Sequence, residues 1–538
     1  MAHKIIALVR SYALLLPILL IGAWYVAGNA FIQDDAYITY NYAKHFALGH
    51  GLVWYPGSTE FGYTNFFYTF MIGVAMLFGT APEAASDAIN IASFLGCLCV
   101  GYAISVRVLG NRLLALLPVF LLATHHTFTA YATGGLETMW VTLLVLVFYW
   151  HILTRHERDE AGEYLVLGTL AAVALLSRLD TAFLLLPGYV FMALRAGRGT
   201  FAQLLRMRNA VIIPIVVMAG FLFSCYVAYG FMLPNTFYIK MPGDNSMLQN
   251  GLNYLKLYNT LHLYMPLAVF GLLCIFIDTD NLRTVDRFFY PALALLILWL
   301  GYIVFVGGDF MEFRLLVPVL PYFLFCIFYL CTMLPPTQIP MGVLSVTVLL
   351  FLGNSWHTKL RHDAETKPSG VIFLSNVDSV RALDRALTEQ PNNWRTSGQR
   401  LHELFYTGKD SDVKIAVTAA GAIPYYSGLP VVDQLGLNTR AILYNGVPYL
   451  SSPGHRLRIS RAYMQRTGVN LVIDHPMYIR GAGRCSPAPR FFLHQPLPDV
   501  PRIYIPINGG SYLLAYYLNE HPAIETLIET QQIIRCMP

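Results

Sequence analysis

Long apolar runs dominate this chain, and a run of about 20 such residues has few fates other than a membrane-spanning helix. Runs at 11–28, 86–106, 113–131, 136–153, 163–178, 181–195, 210–231, 261–278, 289–306, 313–333 and 339–353 predict about eleven spans. Phe66 to Phe78 is apolar too, but at 13 residues it suits an interfacial or re-entrant segment better than a crossing. Charged residues make up 12% of the chain, against about a quarter in soluble domains, so lipid is the solvent for much of it. His3, Lys4 and Arg10 precede the first run. Because many further spans follow, that run reads as a signal anchor rather than a cleaved signal peptide.

Charge assigns the loops to sides. If Phe66 to Phe78 does not cross, the N-terminus, Arg107 to Arg112, Arg155 to Arg158, Arg195 to Arg208 and Arg283 to Arg287 share one face. These segments are short and basic, as the positive-inside rule requires of the cytoplasmic side. The other face receives residues 29–85, GGLET (134–138), SRLD (177–180), PNTFYIK (234–240), GGDFMEFR (307–314) and everything after about 354. Acids and bases from five loops thus converge on the periplasmic or extracellular side. A transporter places ionisable groups near mid-span and often carries inverted repeats; here they cluster at span ends and no repeat is visible.

Residues 1–353 therefore read as a membrane module, and 354–538 as a compact α/β domain with its own core. In the second part, apolar segments such as Lys414 to Thr418 and Asn470 to Ile473 alternate with helical ones such as Ser379 to Thr388. Cys97, Cys99, Cys225, Cys274, Cys326 and Cys331 fall in apolar runs, whereas Cys485 and Cys536 fall in the polar part. If that part is exported they are a candidate disulfide; otherwise they are two thiols. With no dense Lys/Arg stripe and no zinc-type Cys/His spacing, a nucleic-acid partner is not expected. The neighbours His125 and His126 are not read as a metal site.

The first loop carries the chemistry. Asp34 and Asp35 follow the first span, and Tyr37, Tyr40 and Lys44 recur about once per turn behind them. This predicts an amphipathic helix lying on the membrane with a carboxylate at its N-terminus. Adjacent acids repel, so one can hold a proton while the other is ionised, which suits a general base. The same pair also reads as a helix cap. A lipid-linked phosphate donor opposite that base needs cations, and Lys240 and Arg314 stand on the same face. Glu137, Arg178, Asp180 and Asp309 are positioned to bind sugar hydroxyls or to fix those cations by pairing.

An acidic pair just after a single anchor span resembles the GT-C superfamily of glycosyltransferases. DDAYITYNYAKHFALGHGLVWYPGSTEFGYTNFFYT (34–69) is similar to the first loop of the terminal β-(1→2)-arabinofuranosyltransferase group and its proteobacterial relatives. GGLET, SRLD, PNTFYIK, GGDFMEFRLLVPVLP (307–321), AAGAIPYYSGLPVVDQLGL (419–437) and PGHR (453–456) follow in the order expected of that group. The resemblance implies a polytopic α-helical GT-C module with a C-terminal periplasmic domain, a polyprenyl-phosphoryl sugar donor such as arabinofuranose, and a cell-envelope glycan or exported protein as acceptor. It implies Asp34 or Asp35 at the acceptor hydroxyl, with a slight preference for Asp34, and Lys240 and Arg314 at the donor phosphate. Tyr63, Asn65, Glu137, Asn235 and His455 become further candidates for sugar or acceptor binding. No cofactor is firmly implied, and the superfamily includes both metal-using and metal-free members, which leaves a divalent cation open. Relatives often carry Arg-Pro-Glu at Arg178-Leu179-Asp180, and Glu at Arg456; these departures bear on sugar and acceptor identity. The same fold transferring aminoarabinose to lipid or mannose to protein is the alternative.

Overall fold

The apolar runs fold into a helical bundle. The computed structural model describes residues 13–155, 161–196, 201–240, 245–262, 288–332, 337, 339–365, 377–408, 412–449, 456–480, 485, 497 and 499–537. Among them, four helices are long and apolar enough to cross a membrane: Pro82–Leu109, Met207–Tyr229, Phe289–Val306 and Arg314–Thr332. Shorter apolar helices stand at Leu16–Gly28, Phe66–Leu77, Thr138–Thr154, Gly162–Ser177, Thr181–Leu194 and Ile339–Gly353. Leu320–Thr332 is packed inside the bundle, whereas Phe201–Tyr229 turns Ile215, Phe223 and Val227 outward, the last 70% exposed. Such a surface is unfavourable in water and natural against acyl chains. The chain is a helical membrane protein.

Two apolar runs differ from the sequence expectation or escape it. The run 113–131 is not one helix: it splits into Leu116–Thr124 and His126–Ala130. His125 between them is extended, with ψ 121°, and its imidazole caps the second helix by accepting from the Phe128 N–H. Most of the run 261–278 lies outside the described residues. Phe66–Leu77 has 12 residues, about 18 Å of helix against a hydrocarbon core of about 30 Å.

The composition changes near residue 354, but the backbone does not: helix Ile339–Glu365 runs through that point. Beyond it a mixed sheet forms, with strand order β2-β1-β5-β8-β7-β9 and β6 also paired to β8. The strands are β1 Ile415–Val417, β2 Val431–Asp433, β3 Gly446–Pro448, β4 Leu457–Ile459, β5 Leu471–Asp474, β6 Tyr478–Arg480, β7 Arg502–Pro506, β8 Ser511–Tyr517 and β9 Ile534–Cys536. β1 runs parallel to β2 and β5; β8 is antiparallel to β5, β6 and β7, and β3 and β4 form a separate hairpin. The short β1 and β2 are buried throughout, as apolar strands covered on both faces must be. Cys485 and Cys536 are joined in a disulfide, with Cα atoms 5.7 Å apart.

The acidic pair opens helix Asp34–Ala47, and every residue from Ala36 to Ala43 is buried. This corrects the expectation of a helix open on the membrane surface. Its Tyr37 and Tyr40 face packs in a cluster with Ala422, Tyr425 and Tyr426, from the segment after β1, and with Trp394. The helix is a shared layer between the bundle and the C-terminal sheet.

Candidate active site

A cavity of about 600 Å³ opens at the end of the bundle where the five polar loops meet. Helix Asp34–Ala47 contributes Asp35, Ile38 and Thr39, spaced i, i+3, i+4 along one face. Tyr63 and Asn65 come from the rest of the first loop, Glu137 from GGLET, Arg178 and Asp180 from SRLD, and Arg314 from GGDFMEFR. One wall is apolar and reaches the bundle surface through Phe183, Phe237 and Phe305, all exposed.

The polar wall is a connected network. Asn65, just before helix Phe66–Leu77, makes no cap with its side chain. Its amide instead donates to Glu137 Oε2 at 2.7 Å, and it also bonds Thr39 Oγ1. Glu137 Oε1 accepts from Arg178 Nη1 at 3.2 Å. The Arg178 fork is closed on Asp180, with Nε to Oδ1 at 2.9 Å, and the Tyr302 hydroxyl donates to Asp180 Oδ2 at 3.1 Å. Arg178 is thus held between two carboxylates, and both are spent on it.

Arg314 is less fully engaged. Its Nη2 lies 2.7 Å from Asp309 Oδ2, a contact that balances charge without hydrogen-bond geometry. Its buried Nε has no hydrogen-bond partner among the described residues. Two glycines and a strained residue fix this segment: Gly307 and Gly308 have φ of 83° and 77°, and Phe313, at φ 48°, precedes Arg314. A Cβ on Gly308 would sit 2.8 Å from Tyr254 Cβ, so the turn needs glycine there.

The two adjacent aspartates do different things. Asp34 points away from the cavity and accepts from the backbone N–H groups of Gly421 and Ala422, at 2.9 and 2.8 Å. Asp35 lines the cavity and makes no hydrogen bond or ion pair among the described residues. Of the three lining carboxylates, Asp35 alone lacks a partner there. Asn235 and Asp309 do not line the cavity; Asn235 Nδ2 donates to Glu60 Oε2 at 3.1 Å. The backbone of Lys240 ends helix Asn235–Lys240, but its side chain and His455 lie outside the described residues.

Sequence reasoning missed Tyr302, Glu60 and Leu437. Glu60 Oε2 also accepts from the Arg440 N–H at 2.8 Å, tying the first loop to the C-terminal sheet as well as to PNTFYIK. Leu437 brings that sheet's own segment into the cavity wall.

Burial raises the Asp34 carboxyl from 3.8 to about 7 against the pull of its two N–H donors, with Asp35 adding repulsion. Between pH 4 and 7 the folded state then holds a proton that the unfolded chain has released, so this group's contribution to stability is lost as pH rises through that window. We expect the melting temperature to fall from pH 5 to pH 8, with a smaller fall in Asp34→Asn; equal slopes in the two proteins would refute this.

Comparison with solved structures identifies the scaffold. ArnT from Cupriavidus metallidurans in the apo state superposes with a TM-score of 0.54, covering 94% of this chain and 98% of that one at 14% identity. The chain shares the fold of ArnT. ArnT from the same organism bound to undecaprenyl phosphate overlaps at TM-score 0.49, with 14% identity over 80% of this chain and 88% of that one. The oligosaccharyltransferase of Archaeoglobus fulgidus in the apo form gives 0.49, with 11% identity over 86% and 69%. Residues 386–518 match a family described as a domain of unknown function, DUF8728. No curated protein matches the chain by sequence.

Proposed function

We propose that this protein is a glycosyltransferase that moves a sugar, arabinofuranose in preference to others, from a polyprenyl phosphate to a cell-envelope glycan or exported protein on the periplasmic face. The observation that carries this reading is the Asp35 carboxylate, without a partner among the described residues, facing the same cavity as Arg314, whose Nε is also without one among them. The GT-C scaffold and the first-loop resemblance support the donor class, and the exposed aromatic wall suits a polyprenyl chain. The Cys485–Cys536 disulfide agrees with an oxidising compartment for the C-terminal part.

In this mechanism the acceptor oxygen attacks the anomeric carbon and gives its proton to Asp35. The bond between the anomeric carbon and the phosphate oxygen breaks, and polyprenyl phosphate leaves with its new charge toward Arg314. Glu137 and Asp180 hold Arg178 rigid beside the reacting sugar.

The test is transfer from a panel of synthetic polyprenyl-phosphoryl sugars by the protein in proteoliposomes. Arabinofuranose is expected to be used above aminoarabinose and mannose. Use of another sugar alone would replace the specificity, and transfer from none would end the reading. With the preferred donor, Arg314→Gln should lower kcat/KM by about 10²–10³, the usual loss for a donor aimed at developing charge.

A further inference from the structure

The C-terminal part contributes to the cavity through one short turn, which has the construction of a selectivity element. Every residue from Val431 to Thr439 is buried except Leu437, which lines the cavity. The turn is built to present that side chain. Asp433, at the end of β2, accepts from the N–H groups of Leu435, Gly436 and Asn438 at 2.9, 3.1 and 2.8 Å. Gly436 takes φ 82°, and a Cβ there would lie 2.4 Å from Ile442. The far end is clamped from outside the sheet, since the Arg440 N–H is held by Glu60.

Leu437 packs in the same apolar cluster as Ile38 and Tyr63. Ile38 stands one turn from Asp35 on the cavity face of the first-loop helix. Leu437 is therefore on the side of the cavity that holds the Asp35 carboxylate. In the proposed reaction that is where the acceptor hydroxyl enters, while the phosphate lies toward Arg314.

We propose that Leu437 is an acceptor-selecting residue: a rigid apolar stop, carried by the C-terminal sheet, that limits the bulk of the acceptor group next to its reacting hydroxyl. The inference rests on the transferase reading above. It makes the C-terminal part a component of the catalytic cavity rather than a separate binding module.

The test uses the full-length protein in proteoliposomes, one active donor, and two synthetic acceptors differing only in a substituent beside the reacting hydroxyl. Leu437→Ala is expected to raise kcat/KM for the bulky acceptor relative to the slim one by about tenfold or more, the scale of one or a few methylenes in an apolar pocket. Leu437→Met, close in volume, should keep the wild-type ratio. Donor hydrolysis by water is measured in each variant as the reference rate. An unchanged acceptor ratio in Leu437→Ala, or one common loss across both acceptors and hydrolysis, overturns the inference while leaving the transferase reading intact. Wild-type protein that uses no polyprenyl-phosphoryl donor overturns both.

Discussion

Asp35→Asn should nearly abolish sugar transfer while leaving the fold untouched. The substitution keeps the shape of the side chain and removes its charge and basicity. Because Asp35 makes no hydrogen bond or ion pair among the described residues, no described contact is broken, and the melting temperature should stay within about a degree of wild type. Loss of a positioned general base typically costs about 10²–10⁴ in rate, or roughly 3–5 kcal/mol of barrier. The fall should appear in kcat, since the proton moves only in the transition state. Asp34→Asn makes the opposing case. Its amide can accept from only one of the Gly421 and Ala422 N–H groups without presenting its own N–H to the other. It should lower stability first and activity only as docking of the C-terminal part weakens. An Asp35→Asn protein that keeps more than a tenth of wild-type kcat would remove Asp35 from the chemistry. Complete inactivation by Asp34→Asn at unchanged stability would transfer the role to its neighbour.

The division of labour within the pair marks how far the sequence could be read. Periodicity alone puts Asp35, Ile38 and Thr39 on one face of a helix and Asp34, Tyr37 and Lys44 on another. It does not say what covers each face, because that depends on contacts with residues nearly four hundred positions away. The slight preference for Asp34 had no local signal against it: its partners are backbone N–H groups, which leave no mark in side-chain chemistry. The same holds for Glu60, whose partners are the Arg440 backbone and Asn235. Asn65, a sugar or acceptor candidate on sequence, does line the cavity, with its amide spent on Glu137 rather than on capping the helix it precedes. What was legible depends on bulk: the apolar runs, whose length is set by the thickness of the hydrocarbon. The break at His125 was not legible, since the run around it is apolar and the cap bond to Phe128 leaves no mark in the hydrophobic pattern.

Gly421→Ala should undock the C-terminal part from the first loop and with it silence the proposed transfer. A Cβ at Gly421 would lie 1.8 Å from the Asp34 carbonyl oxygen, 2.6 Å from its carbon and 2.7 Å from Cγ. Two of these are backbone atoms at the start of a buried helix, so neither can swing aside. Relief requires the segment Gly421–Ala422 to retreat by more than an ångström, which breaks both N–H bonds to Asp34 and leaves a buried carboxyl unsatisfied. A buried acceptor left unsatisfied costs about 1–3 kcal/mol, and two bonds lost together with the contacts behind them are enough to open a docking surface. Leu437 and the turn that carries it would leave the cavity wall. Gly62→Ala attacks the same seam from the other side, where its Cβ would meet Asn438 Oδ1 at 1.9 Å and the Leu437 carbonyl oxygen at 2.8 Å. Asn438 can partly rotate away, so that variant should be the milder of the two. Gly301→Ala, in open space within a helix, is the control and should behave as wild type. Hydrogen exchange reads the result directly: amides of Gly421, Ala422 and Arg440 should lose protection in Gly421→Ala, while those within β7 and β8 keep theirs. Wild-type protection and transfer in Gly421→Ala would mean that the C-terminal part is not held where Asp34 and Gly421 meet. Retained transfer with lost protection would mean that the cavity works without the wall this part supplies.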